Sequence, residues 1–195
     1  MVADVVRDWQ ARAMQPLSDT ERKVLSRLLQ MDFQGAAQLR SQIEHIVGTE
    51  RNCTCGCPSI TPFIDRALAE PAVVESTVLP VKLLEIDRKE GDPREVIAFT
   101  DADGFLANLE CTYFDDSINE WPDVDRSVVL LADSQGGVVA ISLPNGAVIH
   151  PFTEGDTWRH TNFRDLSLIA ETVSGYREEY DYEGRRLGRA LGPVS

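Results

Sequence analysis

The chain has 195 residues and a hydrophobic content of 43%, enough for a buried core in one large domain or two small ones. Its formal net charge of −13 excludes a general nucleic-acid binder, because neutralising phosphates needs a clustered Lys/Arg surface that the sequence lacks. No run approaches the length of a membrane-spanning helix, and Met1 to Asp8 has neither the basic nor the apolar region of a signal peptide, so a cytoplasmic, non-membrane protein is expected.

In chain order, the first third reads as helices. Val2, Val5, Val6, Trp9 and Ala13 form an apolar stripe that ends at Pro16. Ser18-Asp19-Thr20-Glu21 has the pattern of a capping box, in which serine and glutamate satisfy each other's backbone N–H, and Val24, Leu25, Leu28 and Leu29 supply the buried stripe behind it. Asp32 is positioned to cap a third helix with Ala36, Leu39 and Ile43 facing inward, fraying from His45 to Gly48.

Beyond Cys53-Thr54-Cys55-Gly56-Cys57-Pro58 the apolar period becomes that of strands. Val73 to Ile86 alternates like a strand, with Pro80 implying an edge or a bulge. Val96 to Thr100 and Phe105 to Phe114 flank Asp101-Ala102-Asp103-Gly104, a hairpin signal. Val128 to Leu131, Val138 to Ile141 and Ala147 to Ile149 read as three short strands, and Asn145-Gly146 is a type I′ turn signal. Asn162 is then expected to cap a last helix bearing Phe163, Leu166, Ile169, Ala170, Val173 and Tyr176 or Arg177, and the glycine- and arginine-rich end reads as a loose tail. No internal repeat is apparent. The expected fold class is α+β: N-terminal helices on a mostly antiparallel sheet over 1–122, a smaller strand-and-helix unit over 123–183, and a flexible tail over 184–195.

Two stretches carry candidate chemistry. Cys53, Cys55 and Cys57 alternate, so in an extended chain their thiols share a face; with Cys111 or His45 as fourth ligand they could hold zinc tetrahedrally. A tight turn with buried thiols explains the same residues, since the common structural knuckle is Cys-x2-Cys. In a reducing compartment all four cysteines are expected as thiols or ligands rather than disulfides. Zinc is the one cofactor in question. Asp101-x-Asp103-Gly104 with Glu110 imitates the end of a calcium loop, but Phe99 falls where the first oxygen ligand belongs.

The second stretch lies between Arg94 and Arg126, an interval with no Lys or Arg. Asp115, Asp116, Glu120, Asp123 and Asp125 surround Trp121 there, an aromatic expected to be exposed ahead of Pro122. An aromatic anchor in an acidic rim suits a basic protein partner. A solvated acidic edge that blocks strand pairing accounts for it equally well. No catalytic motif is present and no carboxylate pair stands out, so the reading is non-catalytic.

Two resemblances rest on particular residues. Leu17 to Glu21, Asp32-Phe33-Gln34-Gly35 to Leu39, Cys53 to Ile60 and Val96 to Pro122 resemble recurrent pieces of a group of uncharacterised actinobacterial proteins, which implies no activity. Gly136-Gly137, Ile141, Val148 and Phe163-x-x-Leu166 are similar in order to the C-terminal part of the SUKH superfamily. That likeness implies an immunity or antitoxin role that neutralises a toxin, and no binding residue is carried over from it; together with the acidic stretch it gives the expectation of a protein that neutralises a basic partner. The rival expectation is a small zinc-dependent regulatory or enzymatic protein built on the cysteines.

Overall fold

A computed structural model describes residues 14–51, 53–86, 94–112, 120–164 and 167–191. The stripe expected from Val2 to Ala13 lies outside them, as do Asp115 and Asp116. Among the described residues the chain forms twelve strands and only two α-helices, so the fold is mostly antiparallel β-sheet. This corrects the α+β expectation: among the described residues there is no layer of helices on a sheet and no strand-and-helix unit at the C-terminal end.

The chain divides into two compact units. Unit 1 takes its described residues from Met1–Leu79, Ile97–Thr112 and Ser117–Trp121; unit 2 takes its own from Pro80–Val96 and Pro122–Ser195.

Unit 1 contains both helices. In α1 (Asp19–Leu28) the capping box forms as expected: Glu21 N–H donates to Ser18 Oγ at 3.3 Å and Ser18 N–H to Glu21 Oε2 at 2.8 Å. Val24, Leu25, Leu28 and Leu29 are fully buried. Helix α2 (Ala36–Gln42) buries Ala36, Leu39 and, just beyond it, Ile43, but its N-cap is Gly35 at φ 84° rather than Asp32. Asp32 instead pairs with Arg40 at 3.0 Å. A Cβ on Gly35 would crowd the Val73 carbonyl oxygen, which explains a glycine there. The expected fraying does not occur: a 3-10 turn over Ile43–His45 leads straight into β1 (Ile46–Glu50), which pairs antiparallel with β2 (Thr61–Ile64).

Strands β3 (Val78–Glu85) and β4 (Glu95–Thr100) contribute residues to both units, and β5 (Leu106–Thr112) belongs to unit 1. Pro80 falls inside β3, yet the ladder from β3 to β6 (Ser127–Ala132) begins at Val81↔Leu131, so the missing proline N–H costs that ladder nothing.

Unit 2 is an antiparallel succession. It continues from β6 through β7 (Val138–Ser142), β8 (Val148–Ile149), β9 (Trp158–Arg164), β10 (Ser167–Thr172), β11 (Tyr176–Asp181) and β12 (Arg186–Leu191). Within the unit the strands lie side by side in the order β12-β11-β10-β9-β7-β6-β3, with β8 also on β7. Its core gathers Ile86, Val128, Leu130, Ile141, Leu143, Ile149, Trp158, Leu168, Ala170 and Tyr180. The last helix expected from Asn162 is therefore β9 and β10, and the expected loose tail contains β12, paired along β11. Leu168 to Thr172 are buried at every position, and a short apolar run buried on both faces has no period to separate strand from helix.

One turn recurs. Asp101, Asp133 and Asp181 each accept a backbone N–H from the glycine three residues on, at 3.1, 3.0 and 3.1 Å, with that glycine at φ between 83° and 88°. The Oδ1 of each aspartate accepts two more N–H groups, from residues two and four ahead, at 2.8 to 3.1 Å. Only glycine takes that left-handed position without strain, and only a short acceptor side chain closes the inner bonds. Leu143-Pro144-Asn145-Gly146 follows the same backbone pattern, with Gly146 N–H on Leu143 O and Leu143 N–H on Ala147 O, both at 2.8 Å. The loop is thus three residues ending in a left-handed glycine, not the two-residue type I′ turn expected, and Pro144 takes the position that suits its fixed φ.

Candidate functional site

The cysteine cluster sits in the connection between β1 and β2, rather than between helices and sheet. The base of this loop is fixed in two ways. Glu50 pairs with Thr61, and fully buried Ile60 exchanges both backbone hydrogen bonds with Leu109 of β5, at 3.0 and 2.9 Å. Above that base the chain coils tightly around its sulfurs. Cys55 N–H donates to Cys53 Sγ and Cys57 N–H to Cys55 Sγ, each at 3.4 Å. Gly56 at φ 90° makes the second step possible, and nothing crowds its Cα.

All three sulfurs consequently lie within 4.8 Å of one another. Alternation alone predicts three thiols side by side on an extended strand; here they converge because the turns fold the chain onto itself. Cys53 and Cys55 are in disulfide contact, their Cα atoms 5.5 Å apart, which corrects the expectation that all cysteines stand as thiols or ligands. Cys57 is buried and its thiol donates to Ser59 Oγ at 3.2 Å. Ser59 Oγ also accepts the Cys111 N–H at 3.0 Å, so the backbone of Cys111 is tied to the cluster while its sulfur does not join the group of three. His45 ends the 3-10 turn before β1, and its ring is not among the grouped ligand atoms either.

With the Cys53–Cys55 contact reduced, the three sulfurs are close enough together to hold a thiophilic cation.

The acidic stretch is arranged differently from the expectation. Glu120, Asp123 and Asp125 are exposed, whereas Trp121 is half-buried and Pro122 buried. Asp123 accepts the Asp125 N–H at 3.0 Å as the N-cap of a 3-10 turn. Upstream, Asp101 and Asp103 are both held by Arg66, whose guanidinium also lies 4.7 Å from the ring centroid of Phe105, and Glu95 meets Lys82 at 3.3 Å. Part of the negative charge is therefore spent on local cations.

A third cluster had no sequence signal. In unit 2, Glu178 is fully buried and receives Trp158 Nε1–H at 2.9 Å, Tyr180 O–H at 3.0 Å and Phe152 N–H at 3.2 Å; Arg189 stands 3.6 Å away. The rings of Trp158 and Tyr180 meet edge to face at 5.9 Å. Arg186 and Arg189 stack over Phe152, at 3.8 and 4.8 Å, and Arg189 over Tyr176 at 3.6 Å. These residues come from several hairpins, so no local spacing announces them. Every partner is internal, and the arrangement reads as a structural network rather than a ligand site.

Burial, followed by the charge of Glu178, holds the Tyr180 hydroxyl well above its ordinary value of 10.0. A pKa raised by folding stabilises fully below the unfolded value and is lost as pH rises. Tyr180→Phe should cost about 1 kcal/mol at neutral pH through its lost hydrogen bonds. Urea titrations at increasing pH should show the gap between parent and variant closing above about pH 10; a constant gap would contradict the assignment.

No family model matches the chain, and no curated protein matches its sequence. Among the described residues, no helix is long and apolar enough to cross a membrane.

Proposed function

We propose that the protein binds a zinc ion through Cys53, Cys55 and Cys57 in their thiolate state and acts as a small metal-dependent regulatory protein. The observation that supports this reading is the convergence of the three sulfurs within 4.8 Å. The N–H groups of Cys55 and Cys57 are directed at two of these sulfurs, and the anchored Ile60 and Ser59 hold the loop in place. Three thiolates leave a fourth position for water or another donor, which suits an exchangeable ion.

The fully reduced, metal-free protein is expected to take up one equivalent of zinc in a competition titration against a chromogenic chelator. Cys57→Ser should weaken binding by more than the about 10–100-fold that loss of an outer-shell partner costs. Uptake well below one equivalent would end this reading.

A second reading is that the acidic stretch receives a basic protein partner, in the manner of an immunity protein. The exposure of Glu120, Asp123 and Asp125 supports it. The triple charge reversal Glu120→Lys, Asp123→Lys and Asp125→Lys is expected to lose partners that the parent retains from host lysate at low salt. Identical retention by both proteins would overturn it.

A further inference from the structure

We infer that the cysteine cluster is a redox-gated metal site, in which oxidation of Cys53 and Cys55 to a disulfide expels the ion and a small thiol reductant restores it. The inference rests on the zinc reading above and adds its control. Two observations at one locus carry it: three sulfurs within 4.8 Å of one another, and two of those same sulfurs in disulfide contact. The two states exclude each other, because a disulfide removes two of the three thiolates that would hold the metal.

The surroundings decide which pair closes. Cys55 is exposed, so an incoming reagent reaches it. Cys57 is buried and its thiol is engaged by Ser59 Oγ at 3.2 Å. Cys53 lies next to Cys55, with Cα atoms 5.5 Å apart, inside the range that a disulfide spans. The oxidant is a low-molecular-weight disulfide, R–S–S–R. The Cys55 thiolate attacks one of its sulfurs, forming a mixed disulfide at Cys55 and expelling one thiolate. The Cys53 thiolate then attacks Cys55 Sγ, forming the Cys53–Cys55 bond and expelling the second thiolate. Each leaving thiolate takes a proton from water; two electrons pass from the protein sulfurs to the reagent, which is reduced to two thiols. Cys57 alone does not retain the ion.

The test uses the full chain, reduced and loaded with zinc, then exposed to oxidised glutathione. Released zinc is read with a chromogenic indicator, and thiols are mapped by alkylation and peptide mass. The expected result is zinc release in step with loss of two of the four alkylatable cysteines, the pair being Cys53 and Cys55. Dithiothreitol should then restore uptake of zinc. In Cys53→Ser the second attack has no nucleophile, so Cys55 should accumulate as a mixed disulfide with one glutathione. If the reduced protein takes up zinc and keeps it while the Cys53–Cys55 bond forms, or if Cys57 is the residue that pairs, the gating is overturned and zinc binding stands. If the reduced protein takes up no zinc, the zinc reading and the gating built on it both fall.

Discussion

Glu178→Ala is expected to destabilise unit 2 by about 3–5 kcal/mol, the cost typical of breaking a buried charged network by removing one partner. Glu178 has no exposed surface, and its two oxygens serve Trp158 Nε1–H, Tyr180 O–H and the Phe152 N–H. Alanine leaves a void and takes the acceptor from the indole and the Phe152 amide, each costing about 1–3 kcal/mol if buried without a partner. Tyr180 keeps one acceptor, the His150 carbonyl at 3.2 Å, so its share of the loss is smaller. Arg189 loses its neighbouring charge at 3.6 Å but retains stacking on Phe152 and Tyr176, and its partial exposure screens that contribution. Glu178→Gln separates shape from charge. It fills the same volume and keeps one acceptor oxygen, while its amide nitrogen faces donors, so an intermediate loss is expected. Urea unfolding followed by near-ultraviolet circular dichroism measures both. A loss below about 0.5 kcal/mol for the alanine variant, the range of ordinary surface substitutions, would show that the network contributes little.

How much of this was readable in the sequence depends on how local each feature is. The capping box at Ser18 and the turn at Asp101–Gly104 were legible because all their interacting groups lie within five residues. Strands β6, β7 and β8 were legible because short β-branched runs sit between glycine turns. The C-terminal segment was misread because Leu168 to Thr172 are buried at every position, so hydrophobic spacing there does not separate strand from helix. The better signal there was the turn chemistry: Gly175 N–H donates to Thr172 O at 3.0 Å, and Asp181-x-x-Gly184 repeats the hydrogen bonds of the earlier aspartate turns. A pattern search for Asp-x-x-Gly, in place of hydrophobic spacing, finds the turn between β11 and β12, whereas the turn at Gly175 begins at Thr172.

The cysteine loop was half legible. Three cysteines in five residues marked it, but spacing could not reveal that the amides of Cys55 and Cys57 each reach back to the preceding sulfur, the second through Gly56. Nor could it show that Ile60 pairs with Leu109, since that contact joins residues far apart in the chain. The same holds for Glu178. A buried carboxylate looks like any other acidic residue until the donors around it are known, and those donors come from Phe152, Trp158 and Tyr180. The support of the cysteine loop and the surroundings of Glu178 are thus set by pairing between distant residues, which a local pattern does not encode.

In unit 1 the largest effects should come from Gln42 and Gly104, two residues that sequence reading passed over or saw only as part of a turn. Gln42 is fully buried; its Nε2 donates to Glu70 O at 2.8 Å and Gly104 O at 3.0 Å, and its Oε1 accepts Leu106 N–H at 2.9 Å. Gln42→Ala strips partners from Glu70 O and Leu106 N–H, whereas Gly104 O keeps the Ala72 N–H at 2.9 Å, so about 2–4 kcal/mol is expected. Gly104→Ala acts on the same turn from the other side. Its φ of 86° costs an L-residue about 1–2 kcal/mol, and the added Cβ would run into the Ala72 carbonyl oxygen, raising the loss to about 3 kcal/mol or more. Because both changes release the β4–β5 turn, the double variant should lose less than the sum; full additivity would show that the two residues support separate structures. The turn also leads into β5, where Leu109 holds Ile60 at the base of the cysteine loop. Under the proposed zinc reading, Gln42→Ala should therefore lower zinc affinity as well as stability, although Gln42 touches none of the three sulfurs. Unchanged zinc affinity in that variant would mean that the amide turns at Cys55 and Cys57 organise the site without help from the strand beneath it.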